Sequence, residues 1–143
     1  MTTIPAIRLH ERVREAMVAH AREEAPNECC GLLVGSESLI DEAVRGRNLE
    51  ATPTRYLLDP AVHVATERRL RGTSRRVIGA YHSHPRTPAV PSPTDRAEAL
   101  YPDFVWMIVS LLGPHPEVAA FTLNAGEAAP VPIILEHGHV VDR

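Results

Sequence analysis

His82 and His84 stand two apart at the end of an apolar, β-rich run, Arg76-Val77-Ile78-Gly79-Ala80-Tyr81. Such a run predicts a buried strand. Side chains at i and i+2 of a strand share a face, so both imidazoles point one way and Ser83 the other. Two imidazoles on one face make half a metal site. A short connection follows, carrying Pro85, Pro88 and Pro91. Proline fixes φ, so the connection is stiff. Ser92 then reads as a helix N-cap, with Pro93 at the first helical position. Asp95 falls in the first turn, where the helix dipole favours a carboxylate. Ser-x-x-Asp ahead of a helix is also an ordinary capping box. Taken together, His82, His84 and Asp95 can converge on one ion. Three protein ligands leave a fourth tetrahedral position for water, the pattern of a catalytic zinc site and not a closed structural one.

Chemistry at such a site needs a proton acceptor beside the metal. Glu28 is the candidate. It follows the helix stop Pro26-Asn27 and opens the apolar run Cys29-Cys30-Gly31-Leu32-Leu33-Val34-Gly35. A buried strand start is a poor place for a carboxylate kept only for stability. The other reading of Glu28 is a surface acid at a strand start. Glu23, Glu24 and Glu98 are read as solvated helix residues.

The elements that must position these residues can be read in order. Residues 4–9 suggest a short strand and 11–24 a helix. Val13, Met17 and Ala21, with Ala16 and His20, form its apolar face. Residues 28–35 read as a buried strand, 36–41 as a turn and 42–49 as a return strand. Residues 56–58 suggest a further short strand. Asp59-Pro60 is an N-cap and N1 pair opening a helix to about residue 71. The strand with the histidines and the helix with Asp95 follow, the latter to about residue 100. Residues 104–112 are a continuous apolar strand, buried on both faces. Residues 118–123 pair back as a hairpin, and 131–135 form a last strand. Helices alternate with strands, so the fold class is α/β with a mixed central β-sheet flanked by helices.

Length and composition bound the rest. A chain of 143 residues fits one domain spanning 1–143 with a real core. The net charge of −3 carries no nucleic-acid footprint. No apolar run is long enough to span a bilayer, and the N-terminus opens on charged sequence without an apolar leader. A cytoplasmic protein is the expectation. Cys29 and Cys30 are adjacent, so neither an intramolecular disulfide nor a Cys-x-x-Cys site fits; buried thiols are expected. All 15 basic residues are arginine, which base composition explains as well as any function.

Glu28, His82-Ser83-His84, Ser92 and Asp95 at this spacing resemble the JAMM (MPN-plus) zinc metalloprotease signature. Residues 26–35 look like the family's block around the catalytic glutamate. The resemblance runs from about Val13 to Leu112, with none of the signature positions substituted. It implies the cytidine-deaminase-like JAMM/MPN fold and one catalytic Zn2+ bound by His82, His84 and Asp95. By the same resemblance Glu28 holds and deprotonates the zinc water, and Ser92 stabilises an oxyanion. Ser83 is common there too and is read as structural. The implied reaction is hydrolysis after the C-terminal Gly-Gly of a ubiquitin-like protein. The chain is near the minimal domain and is similar to compact prokaryotic members, some of which trim a ubiquitin-like sulfur-carrier protein. Its substrate tail would lie extended along a sheet edge. Arg68, Arg69, Arg71, Arg75 and Arg76 form either a basic rim for an acidic carrier or a solvated helix end.

Two other classes stand beside this one: a zinc peptidase acting on other small peptides, and a non-catalytic MPN interaction scaffold. Inactive relatives lose ligands, and this chain keeps them all. A nucleotide deaminase would need His-x-Glu and Pro-Cys-x-x-Cys, and both are absent. Glu136-His137-Gly138-His139 with Asp142 looks like a second ligand cluster but reads as an exposed terminal turn. His10, His20, His63 and His115 are read as surface or packing residues.

Overall fold

The computed structural model describes residues 4–99 and 101–137. Its elements in chain order are β1 (Ile7–His10), α1 (Glu11–Glu24), β2 (Cys30–Ser36), β3 (Leu39–Arg45) and α2 (Pro60–Leu70). There follow β4 (Arg76–His84), α3 (Pro93–Glu98), β5 (Val105–Ser110), β6 (Glu117–Asn124), β7 (Glu127–Val131) and β8 (Ile133–Glu136). The strands form one sheet in the order β7-β6-β5-β4-β2-β3-β1-β8. It is mixed: β4 runs parallel to β5, and β1 parallel to β3 and β8, while the remaining pairs are antiparallel.

The sheet is curled. β7 lies at one end of the strand order and β8 at the other, yet only Pro132 separates them in the chain. Its carbonyl accepts a hydrogen bond from Ile7 N at 2.9 Å. The two rims must therefore come round towards each other. Helix α1 fills the inside. Val13, Met17, Val18 and Ala21 pack with Leu9, Leu33, Met107 and Val131, which come from strands all along the sheet. The opposite face carries α2, where Val62 packs with Leu32, Ala80 and Trp106.

A bulge in β4 sets which residues meet which face. Leu33 pairs with Gly79 but Val34 pairs with Val77, so Ile78 is an extra residue. One extra residue reverses the alternation of a strand. Ile78 and Tyr81 accordingly both face α1, while Val77 and Ala80 both face α2. His82 and His84 follow Ala80 in phase and emerge on the α2 side.

Several boundaries differ from the sequence reading. Ala16 is exposed and Val18 is buried in its place on α1. His10 is the N-cap of α1, its Nδ1 accepting from Arg12 N. The hairpin between β2 and β3 turns at Glu37, which has φ 53° without being glycine, so β3 begins three residues early. Residues 56–58 contribute only an isolated bridge, Asn48 to Leu58. Helix α3 stops at Glu98 because Ala99 is already extended. β7 was not anticipated. Its Glu-Ala-Ala-Pro sequence has poor strand propensity, but an edge strand tolerates Pro130. Ala125 and Gly126 both have positive φ, the two-residue turn that joins β6 to β7. His137 pairs with Glu11 at 2.8 Å on the surface, while Gly138, His139 and Asp142 lie outside the described residues. No described helix is long and apolar enough to cross a membrane.

Candidate metal centre and active site

His82 and His84 end β4, where its parallel neighbour β5 also ends, His84 lying opposite Ser110. Ser110 ties down the proline-rich connection: its hydroxyl donates to the Thr87 carbonyl at 2.6 Å. His84 Nδ1 meets the Pro88 carbonyl at 2.8 Å. The connection delivers the chain to α3. There Asp95 N donates to Ser92 Oγ, and Ser92 N donates back to Asp95 Oδ2, a complete capping box. The capping box and the convergence of His82, His84 and Asp95 are thus one arrangement, since the same Oδ2 serves both.

Three donor atoms converge. His82 Nε2 lies 3.1 Å from His84 Nε2 and 3.0 Å from Asp95 Oδ2, and His84 Nε2 lies 3.1 Å from that oxygen. A tetrahedral ion with bonds of about 2.0–2.1 Å sets its ligands ~3.3 Å apart, so the triangle has the size of a zinc face. The chemistry of the donors agrees. A carbonyl only accepts, so His84 Nδ1 must carry its proton to bond Pro88. A neutral His84 then turns the lone pair of Nε2 towards Asp95 Oδ2, another acceptor. Two acceptors at this distance need positive charge between them, from a proton or a metal.

The electrostatics follow. Burial opposes the charged form of Asp95, but its interactions with His82 and His84 outweigh it and hold the carboxyl well below the usual carboxylate range. Burial lowers the pKa of His82. Burial also works against charge on His84, but Asp95 and the Pro88 carbonyl raise it on balance. The set is therefore an ionised carboxylate with two imidazoles, suited to a divalent ion.

Glu28 stands two residues ahead of β2. Cys30 pairs with His82, and Glu28, two residues earlier, lies near enough to His84 and Asp95 for both to act on it electrostatically. Ser83 fixes this approach from the other face: its Oγ accepts from Cys29 N at 2.8 Å, and its N–H donates to the Cys29 carbonyl. The structural reading of Ser83 holds. Glu28 is only 4% exposed, and its Oε1 has no hydrogen-bond partner among the described residues. Burial pushes its pKa up to about 7, opposed by His84 and reinforced by Asp95. It is not one of the three converging ligands. Cys29 and Cys30 are free buried thiols, pushed up to about 11 and about 12 by burial.

The segment between β3 and α2 was not expected at the site. It carries Tyr56, whose ring stacks on His82 at 4.5 Å between centroids. It also carries Asn48, which donates to the Glu28 carbonyl at 2.9 Å. The sequence held a signal for Asn48 only in its type, since Asn favours irregular backbone. An apolar cleft of about 1050 Å³ runs from Asp95 past Tyr56 to His63, Phe104 and Trp106. Arg68 and Arg71 also line it. Of the other candidate rim arginines, Arg69 and Arg75 are taken up in surface pairs with Glu42 and Asp41.

Fold and site together define an α/β domain in which three residues that could hold a metal ion converge near a buried carboxyl. The family described as prokaryotic homologs of the JAB domain matches residues 10–124. The chain belongs to this prokaryotic JAMM/MPN family. It is 35% identical over 121 residues to the CysO-cysteine peptidase of Mycobacterium tuberculosis (strain ATCC 25618 / H37Rv), covering 82% of this chain and 83% of that one. It is 36% identical over 104 residues to the desampylase of Haloferax volcanii, covering 68% and 75%. A solution structure from Desulfitobacterium hafniense superposes with a TM-score of 0.85 at 32% identity, covering 92% and 94%. A JAB1/MPN domain protein from Archaeoglobus fulgidus shares the fold, with a TM-score of 0.58 at 20% identity, covering 90% and 98%.

Proposed function

We propose that this chain is a zinc metallopeptidase of the JAMM isopeptidase type. Its reaction is hydrolysis of the bond after the C-terminal Gly-Gly of a ubiquitin-like or sulfur-carrier protein. The observation that carries the reading is the triangle of His82 Nε2, His84 Nε2 and Asp95 Oδ2 beside buried Glu28. The names of the relatives, a CysO-cysteine peptidase and a desampylase, support the substrate class.

His82, His84 and Asp95 would hold the ion. A zinc ion held there would supply Lewis acidity, lowering the pKa of water to about 7 and polarising a carbonyl. Glu28 is the proton carrier. A buried carboxylate beside the ion can take a proton in one step and give it up to the leaving amine in the next. Its unpartnered Oε1 is free to do so. Ser92 Oγ is fixed by the Asp95 amide as an acceptor, which leaves its own O–H to donate to a developing oxyanion. The cleft that opens beside Asp95 gives an extended substrate tail an apolar bed.

The test uses a ubiquitin-like sulfur carrier extended by one residue past its Gly-Gly end, read by intact mass. Cleavage after the second glycine is expected. It should stop on chelation and slow roughly 100- to 10,000-fold in Glu28→Ala. No cleavage by a zinc-replete protein would overturn the substrate assignment. Full activity of Glu28→Ala would remove Glu28 as the base.

A further inference from the structure

The two histidines are held by different means. His84 has its Nδ1 on the Pro88 carbonyl. His82 is 1% exposed, and its Nδ1 has no hydrogen-bond partner among the described residues. An imidazole that binds through Nε2 is ordinarily oriented by a hydrogen bond at its other nitrogen. His82 has a flat ring against it instead. Tyr56 lies at 4.5 Å between centroids and 21° from coplanar. On a strand end with a free χ2, a stacked ring resists rotation of the imidazole plane.

Tyr56 lies outside the regular elements, so something else must hold it. Asn48 does. Its Oδ1 accepts from Glu50 N at 3.0 Å and from Leu57 N at 2.8 Å, while its Nδ2 donates to the Glu28 carbonyl. Leu49 N donates to the Leu57 carbonyl, and Glu28 N donates to the Thr52 carbonyl. The backbone next to Tyr56 is thereby pinned to the backbone of Glu28. The nearby ion pair of Arg55 with Glu98 is long, at 3.6 Å, and exposed, so it adds little.

We propose that Tyr56 is a positioning residue for His82, its ring aiming Nε2 at His84 and Asp95, and that Asn48 holds Tyr56 in register with Glu28. This rests on the metal-centre reading above. Tyr56 acts through His82 and takes no part in proton transfer.

The experiment measures zinc affinity by competition with a chromophoric chelator in wild type, Tyr56→Phe, Tyr56→Leu and Asn48→Ala. The visible spectrum of the cobalt-substituted proteins is recorded alongside. Tyr56→Leu should bind zinc about 10-fold more weakly and shift the cobalt bands, as loss of an orienting partner does. Tyr56→Phe keeps the flat ring and should restore both. Asn48→Ala should move both in the same direction as Tyr56→Leu. A folded Tyr56→Leu with wild-type affinity and spectrum would overturn the proposal. A second measurement needs no variant: in wild type, the His82 ring protons should show cross-relaxation with Tyr56 and resonate upfield of those of His84. Absence of both overturns the proposal even if Tyr56→Leu does not fold. Wild type that binds no zinc would instead sink the proposed function, and the proton spectra would still decide the stacking.

Discussion

Glu28→Gln should make the metal-free protein more stable, and only on the alkaline side. Glu28 is buried, with Oε1 unpartnered, and burial raises its pKa from 4.5 to about 7. A carboxyl whose folded pKa is raised binds its proton more tightly in the fold than in the open chain. Below about pH 4.5 it is protonated in both states and costs nothing. Between pH 4.5 and about 7 the unfolded chain loses the proton first, so stability falls as pH rises. Above about 7 the whole cost is present. Each pKa unit corresponds to about 1.36 kcal/mol, so the cost is at most ~3 kcal/mol. The Gln amide still needs partners in the same site, which leaves a gain of about 2 kcal/mol. For a domain of this size that is a rise in Tm of roughly 7 °C. The assay is denaturant unfolding of metal-free wild type and Glu28→Gln from pH 4.5 to 8.5. The gap should open across this window and level off above it. A gap that is the same at both ends, or a variant less stable at pH 8, would refute the assignment of Glu28 as a buried, strained carboxyl.

The remaining predictions concern the site directly. His82→Ala or Asp95→Ala should leave the protein without stoichiometric zinc by elemental analysis; normal zinc content in either breaks the ligand assignment. Ser92→Ala should lower kcat, with zinc retained and stability reduced by about 1 kcal/mol through the lost cap; unchanged kcat would leave Ser92 as a helix cap only. Activity should fall as pH drops below about 6, because protons compete with the ion for the two imidazoles and neutralise the Glu28 base. A flat acid limb down to pH 5 in the initial-rate profile would argue against both.

Much of the site was legible because its parts are local. The i, i+2 spacing of His82 and His84 needs only a strand, and the Ser92–Asp95 box needs only a helix start. Both are written within a few residues, so sequence could carry them. The α1 helix was legible for the same reason, apart from Ala16 and Val18, whose burial depends on the curl of the sheet. That curl was not legible. It comes from β7 and β8 meeting the two ends of one sheet across Pro132, and β7 itself is strand only because β6 pairs with it. The bulge at Ile78 is also invisible in an apolar run, yet it chooses which face His82 and His84 occupy.

What the sequence determined by itself was the set of chemical groups and the short-range geometry of each pair. Tertiary structure alone decided that His82, His84 and Asp95 meet at about 3 Å and that Glu28 reaches them buried and without a partner. It also decided that Asn48 and Tyr56 belong to the site. The physical reason is range. Strand phase and helix caps are set by neighbours along the chain, whereas desolvation, stacking and convergence depend on residues that only the curled sheet brings together.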